Sequence, residues 1–400
     1  MYSYPPLLSF WYSVPYIVVL GVYWCVYLIC DLKKYKQHFT YSHAVFFVLL
    51  IYFIFIGFRG YICTDWYNYY PMFHETPSLL NYDEFLDYAG SVFTEIGYLY
   101  YISLFKVFCN DYVIFQAFSV LIDLILIHIC LKKYSANYLL SFVILSVFFY
   151  VQSVNLNRGV KSVLLFLYAI RYVEEGRFFK FCILNLIGFL FHATSLLFFV
   201  AYFILRHKFS IKELWIIFVI GNIMYFSQIP FISQTAVAIE GVIGGKIGHA
   251  IHFYMANEKS VQFSTISIGS LERLFTFIVL ILNYGKICET FKFGKCFANM
   301  MLLYLLCFFL FNEIPVLVTR TSQLFGFAYG IFYSYIFYLY RYSNNLSVYK
   351  TAMFCYLLLW TFSTHRQLMD KYDNFLFTHQ SFEERARIYD HYGSDYLGGK

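Results

Sequence analysis

The chain has 400 residues, is 60% hydrophobic and only 13% charged, and its mean hydropathy is +0.61. Soluble chains run at about 45–50% apolar and about 25% charged, so an ordinary soluble domain is excluded. The net charge of +6 suits a positive-inside membrane protein and points to no nucleic-acid partner.

Long unbroken apolar runs exclude a membrane β-barrel, whose strands alternate apolar and polar residues. The expected fold is therefore all-α. At roughly 20 residues per span, the chain fills a polytopic bundle of roughly 11–13 transmembrane helices, with no room for a large soluble domain. The ten Cys form no C-x-x-C pair and lie mostly inside apolar runs, as small packing residues do.

The first apolar run is 10–30. No charge precedes it, so it reads as a retained span rather than a cleaved signal. Lys33, Lys34 and Lys36 place the next loop inside. Run 44–58 leads out to an acidic outer loop, about 59–111. Within it, segment 93–108 reads as an interfacial or re-entrant helix. If it crossed, Lys132 and Lys133, beyond run 112–131, would face outward against the charge rule. Runs 137–154 and 159–173 follow.

Run 180–206 has Arg177 and Lys180 before it and Arg206 and Lys208 after it. Both ends look cytoplasmic, and the run is long for one span and short for two. A hairpin of two short helices with His192 near its apex satisfies both ends. Broken backbone at such depth is tolerated only where it is buried or lines a cavity. Runs 212–231, 267–285, 297–314, 323–340 and 349–363 complete the chain. Between the first two of these, the outer loop 232–265 carries Gly241, Gly244, Gly245 and Gly248 and is expected to be a mobile gate. Residues 1–363 thus read as one polytopic membrane domain. Residues 364–400 read as a polar tail on the outer side with no catalytic part.

Four arginines stand apart from the basic inner loops: Arg59, Arg158, Arg273 and Arg320, all expected at the outer membrane edge. An arginine in lipid costs about 2.5 kcal/mol or more, so it faces a polar cavity or partner, or snorkels to the interface. Four on the outer side run against the positive-inside bias. Guanidinium forks suit phosphate oxygens, so the cluster suggests a membrane-embedded diphosphate.

Acids gather on the same side: Asp65, Glu95, Glu272 and Glu313. The last two flank arginines and are expected to pair with them. Asp65 sits among Trp66, Tyr67, Asn68, Tyr69 and Tyr70. Rings with an acid and an amide suit a sugar site, with Trp66 and Tyr69 as substrate contacts, although an interfacial aromatic belt explains the rings equally well. His192 is central to a long apolar run and is either a backbone-bonded core histidine or a functional group. Asp123 lies mid-span and is expected to bond a neighbouring helix. There is no P-loop, G-x-G-x-x-G, H-E-x-x-H or G-x-S-x-G, and no metal-ligand cluster in the loops. Neither ATP, a metal nor another cofactor is expected.

The run Phe58-Arg59-Gly60 followed by Thr64-Asp65-Trp66-x-Asn68-Tyr69-x-x-x-Phe73 resembles the first outer loop of the EpsG/Wzy-type polysaccharide polymerases. Glu95-Ile96-Gly97-Tyr98 does too. Asn157-Arg158-Gly159-x-Lys161 resembles the family's Arg-Gln-x-x-Ala span start, with the Gln and Ala replaced. Phe191-His192-Ala193-Thr194-Ser195 resembles its Phe-His-x-Ser-Ala element, and Arg320 matches a further position. The resemblance covers most of 20–340; no counterpart is evident after 363.

The resemblance implies a fold of the lipid-dependent (GT-C-like) glycosyltransferase type. It implies a reaction on the periplasmic face of the inner membrane that builds O-antigen, capsule or exopolysaccharide. The growing glycan passes from undecaprenyl diphosphate to a sugar hydroxyl of an incoming lipid-linked repeat unit. A chain-length-regulating co-polymerase is an implied partner, beside the lipid-linked donor and acceptor and the membrane lipid. The expected diphosphate ligands are Arg158, Arg273 and Arg320, with Arg59 as a fourth, because fixed donors stabilise a leaving diphosphate. The acceptor hydroxyl needs a base, for which His192 and Asp65 are available. Glu95 either supports an oxocarbenium-like centre or orients an arginine.

Two other functions remain open on sequence alone. An O-antigen ligase uses the same donor, but large helical outer loops would favour it and the longest here is modest. A flippase or transporter of lipid-linked oligosaccharide would carry polar residues through the midplane and paired repeats, neither of which is evident.

Overall fold

The structure is a computed structural model, and the described residues are 4–32, 38–149, 153–154, 157–229, 234 and 267–398. They are helical throughout, with only two isolated β-bridges among them. This is the all-α polytopic bundle expected. Among the described residues, three helices are long and apolar enough to cross a membrane on their own: α1 (Phe10–Leu32), α6 (Tyr112–Tyr134) and α12 (Ile268–Thr290). Shorter apolar helices of 10–17 residues are also present among the described residues. The basic loop with Lys33, Lys34 and Lys36, and the glycine-rich gate 232–265 except residue 234, lie outside the described residues.

The described chain forms two compact units. The first spans 1–202 and 329–393. It begins with α1 and with α2 (His38–Tyr52), which runs into a π-turn at Phe53–Gly57. The segment expected on the outer side then forms three short helices, α3 (Trp66–Glu75), α4 (Tyr82–Ser91) and α5 (Ile96–Phe105). At ten residues α5 is about 15 Å long, too short to cross, which agrees with the expected interfacial or re-entrant piece.

Helix α6 starts where Asp111 accepts the Ile114 N–H at 2.9 Å and ends with Lys132 and Lys133, whose charge complements the helix dipole. α7 (Tyr138–Phe148) starts on an Asn137 cap, and α8 covers Asn157–Glu174.

The hairpin expected for 180–206 is present. Helix α9 (Phe178–Phe191) stops at His192, whose backbone is extended, and a 3-10 turn at Ala193–Ser195 leads into α10 (Leu196–Arg206). The Phe181 and Tyr202 rings lie 5.0 Å apart. In an unbroken helix they would be about 30 Å apart, so the chain folds back at His192.

The first unit closes with α15 (Ala328–Leu339), α16 (Leu346–His365) and α17 (Phe382–Gly398).

The second unit, 203–328 with 394–400, contains α11 (Ile211–Ser227), α12, α13 (Gly294–Leu310) and α14 (Pro315–Phe325). Capping boxes at Ser210/Glu213 and Ser267/Ser270 start α11 and α12. Pro315, pre-set for a first helical turn, opens α14 ahead of the apolar run 323–340, and Arg320 lies within that helix.

The residues after 363 are a folded part of the first unit. A 3-10 turn at Leu368–Asp370 and the following strand-like stretch lie along residues 58–63. Phe375 N–H donates to Phe58 O, Gly60 N–H to Asp373 O and Cys63 N–H to Met369 O, each at 2.8 Å. A Cβ on Gly60 would meet the Asp373 side chain at 2.9 Å, so glycine permits this approach.

Candidate functional site

The centre of the first unit's polar chemistry is Arg158, in the first turn of α8. Its Nη1 donates to Glu95 Oε2, its Nε donates to the Tyr69 hydroxyl at 3.4 Å, and the guanidinium stands 5.8 Å from the Tyr69 ring centroid. Nη2 has no hydrogen-bond partner among the described residues. The pair is neither sealed nor free: the Arg158 side chain is 25% exposed and that of Glu95 21%.

Glu95 does more than pair. It precedes α5, and its second oxygen, Oε1, accepts the Ala193 N–H at 3.1 Å. One carboxylate therefore ties α8 to the break in the α9–α10 hairpin. Gly97 makes the reach possible, because a Cβ there would lie 2.6 Å from Leu190 O. Only a bare Cα lets α5 approach the end of α9 so closely.

At the break, His192 Nδ1 accepts the Thr194 N–H at 3.3 Å and lies 2.7 Å from Thr194 Oγ1. The ring caps the 3-10 turn as an Asn or Asp would cap a helix. An N–H aimed at Nδ1 requires a lone pair there, so the neutral imidazole carries its proton on Nε2.

Asp65 is half-buried just before α3. Its negative charge reaches two phenols. Burial raises the Tyr69 pKa, and Asp65 raises it further while Arg158 opposes. Burial also raises Tyr389, and Asp65 again adds to the effect. The Asp65 and Arg158 charges thus act on Tyr69 in opposite directions, and its ring lies against Tyr98. The structure brings together Asp65, Tyr69, Glu95, Arg158 and His192.

Two of the expected contact residues are enclosed by the protein. Trp66 is packed on all sides described. It is 5% exposed, its Nε1–H donates to Cys63 O at 3.0 Å, and its ring is packed by Tyr61, Phe382 and Tyr389. Arg59 is likewise enclosed. It is 5% exposed, and its guanidinium donates to Ile56 O at 2.7 Å and Val154 O at 3.2 Å. The π-turn before it leaves carbonyls outside the ordinary helix ladder, and the arginine satisfies one of them.

Arg273 and Arg320 belong to the second unit. Arg273 lies over the Phe308 ring at 3.5 Å, and Glu272 accepts a hydrogen bond from Thr276. Arg320 is exposed on α14, and Glu313 is buried ahead of it.

The sequence also contained residues whose role it did not disclose. Lys161, one turn after Arg158, donates to Asp123 Oδ1 at 2.6 Å and to Ser119 O at 3.1 Å, and both side chains of the pair are 6% exposed. Ser119 also donates to Asn157 at 3.2 Å. These bonds hold α8 to α6 directly beneath Arg158. The signal was available: an intramembrane acid needs a partner, and Lys161 shares its helix with the site arginine. Arg385, in the tail, is a second buried cation that the sequence did not single out.

A family model described as the EpsG family matches residues 42–381. No curated protein and no solved structure matches the chain at a significant level.

Proposed function

Because the chain belongs to the EpsG family, a Wzy-type polysaccharide polymerase family, we propose that it extends a glycan carried on undecaprenyl diphosphate. The growing chain passes to a sugar hydroxyl of an incoming lipid-linked repeat unit, on the periplasmic face of the inner membrane. The observation that carries this reading is the Arg158–Glu95 pair tied to the backbone break at His192–Ala193. It is a fixed, partly exposed guanidinium at the mouth of a broken helix pair.

Arg158 keeps Nη2 for a diphosphate oxygen while Glu95 and Tyr69 hold its plane. In the transfer, the acceptor oxygen bonds to the anomeric carbon as the bond from that carbon to the diphosphate oxygen breaks. Charge then grows on the diphosphate, where a pre-oriented cation lowers the barrier. Glu95 acts as the orienting group, since both of its oxygens are engaged. The acceptor proton passes to Asp65. His192, with its Nδ1 lone pair used as a cap, acts as an Nε2–H donor rather than as the base. Arg273 and Arg320 remain proposed contacts to the lipid diphosphate.

The test is a glycan ladder made by purified protein from synthetic polyprenyl-diphosphate repeat units, with EDTA present. The expected result is a ladder from the wild type that disappears in Arg158→Ala and His192→Ala while both variants remain folded. No ladder, with lipid-linked sugar moving between liposome leaflets, would replace the polymerase with a transporter.

A further inference from the structure

The most deeply buried charged side chain of the tail is Arg385. It is 2% exposed, and no carboxylate is bonded to its guanidinium among the described hydrogen bonds. It is spent instead on backbone carbonyls. Nε donates to Tyr61 O, and Nη2 to Leu368 O and Met369 O, all at 2.9 Å. A buried cation is tolerated only when its donors are satisfied, and here two separate chain segments must be in place to do so. One is the first outer loop and the other is the turn before the tail.

The loop so fixed leads directly into Asp65 and Tyr69. Cys63 has φ 64°, a conformation that non-glycine residues adopt only when their surroundings enforce it. Its Sγ lies 3.3 Å from Asp370 Oδ1, and its N–H is held by Met369 O, a carbonyl that Arg385 also binds. Helix α17 then packs its own residues on α3. Tyr389 stacks on Tyr67 at 4.6 Å, Phe382 stacks on Tyr70 at 4.5 Å, and Tyr67 Oη donates to Asp390 at 3.0 Å. The family match stops at residue 381 and α17 begins at Phe382, so this clamp comes from sequence the family description does not include.

We propose that Arg385 is a positioning residue for the transfer reaction, acting through Tyr61 and the 368–370 turn to hold Asp65 and Tyr69 against Arg158. This rests on the polymerase reading for the reaction it serves. Lysine cannot replace the arginine, because one ammonium does not reproduce a planar fork that spans two segments.

The experiment uses the full-length chain in nanodiscs, as wild type, Arg385→Lys and Arg385→Gln. Two things are read: kcat and KM for the lipid-linked repeat unit, and maleimide labelling mapped to individual cysteines. The expected result is that Cys63 becomes labelled in both variants while buried Cys130 and Cys296 stay protected, which shows that the bundle is intact. With Cys63 labelled, kcat falls about tenfold or more, as displaced catalytic groups predict, and KM changes less than about twofold because Arg158 keeps its ion pair with Glu95. A variant with Cys63 labelled and unchanged kcat overturns the proposal. A fall in kcat with Cys63 still protected also overturns it, since the arginine then acts by another route. The wild type separates the two levels of the argument. Failure of the unmodified chain to make a ladder refutes the polymerase reading and with it the catalytic role given to Arg385.

Discussion

Glu95 holds Arg158 with one carboxylate oxygen and the Ala193 N–H with the other. An arginine in the first turn of α8 is thereby registered against the break in the hairpin that follows it. In the transfer proposed above, the same carboxylate balances the guanidinium charge before substrate arrives.

Glu95→Gln should separate orientation from stability. The amide oxygen can still accept the Ala193 N–H, but the charge that aligns Arg158 is gone. A pair exposed this much contributes about 1 kcal/mol or less, so the melting temperature in detergent should barely move. The rate of repeat-unit addition should fall about 10- to 100-fold, the scale of a misdirected charge-stabilising donor. A normal rate in the amide variant would remove Glu95 from the site.

Gly97→Ala tests the close approach of α5 to α9. The added methyl meets Leu190 O at 2.6 Å, so α5 must shift and Glu95 loses Ala193. Activity should fall as in Glu95→Gln. Gly21, where an added methyl would have nothing within 4 Å, should tolerate alanine with activity intact, and equal losses at both glycines would refute the packing argument.

His192→Asn distinguishes capping from chemistry. Asparagine caps well, whereas alanine forfeits a cap worth about 1 kcal/mol. Thermal unfolding should therefore rank Asn above Ala. Polymer formation should be lost in both if the imidazole Nε2–H touches substrate, and regained by Asn alone if His192 only shapes the turn.

The Lys161–Asp123 pair predicts a strongly non-additive cycle. Lys161→Met leaves a buried carboxylate without its bonded cation, at a cost of about 3–5 kcal/mol. Asp123→Leu strands the ammonium equally. The double variant should recover most of the lost stability, measured as midpoint temperature in detergent. Additive losses would show that the two side chains contribute independently.

Arg59→Ala should behave unlike Arg158→Ala. Its carbonyl partners Ile56 and Val154 lose buried donors, each costing about 1–3 kcal/mol, so yield and thermal stability should drop. The KM of the surviving folded fraction should stay near the wild-type value. A selective rise in KM without loss of stability would return Arg59 to the diphosphate.

Sequence alone determined the class of this protein. Apolar content, unbroken runs and the placing of basic residues are one-dimensional properties, and lipid acts on them locally, so the helical bundle, the short helix within 93–108 and the turn at His192 were legible. The motif positions Asp65, Tyr69, Glu95, Arg158 and His192 could also be named in advance. What each one touches was decided only in three dimensions. Arg59 and Arg158 are the same residue type at the same expected depth, yet one caps carbonyls in the interior and the other faces Glu95. Trp66 and Tyr69 are neighbours in sequence, yet the tail covers the indole while the phenol reaches Arg158. The tail itself read as a polar appendage, because the partners of Arg385 are backbone carbonyls more than 300 residues away at Tyr61 and nearby at Leu368 and Met369. Backbone carbonyls are the same at every position, so no residue type marks them. Hydropathy is written along the chain, whereas the partner of a buried charge is set by which segments the fold brings together.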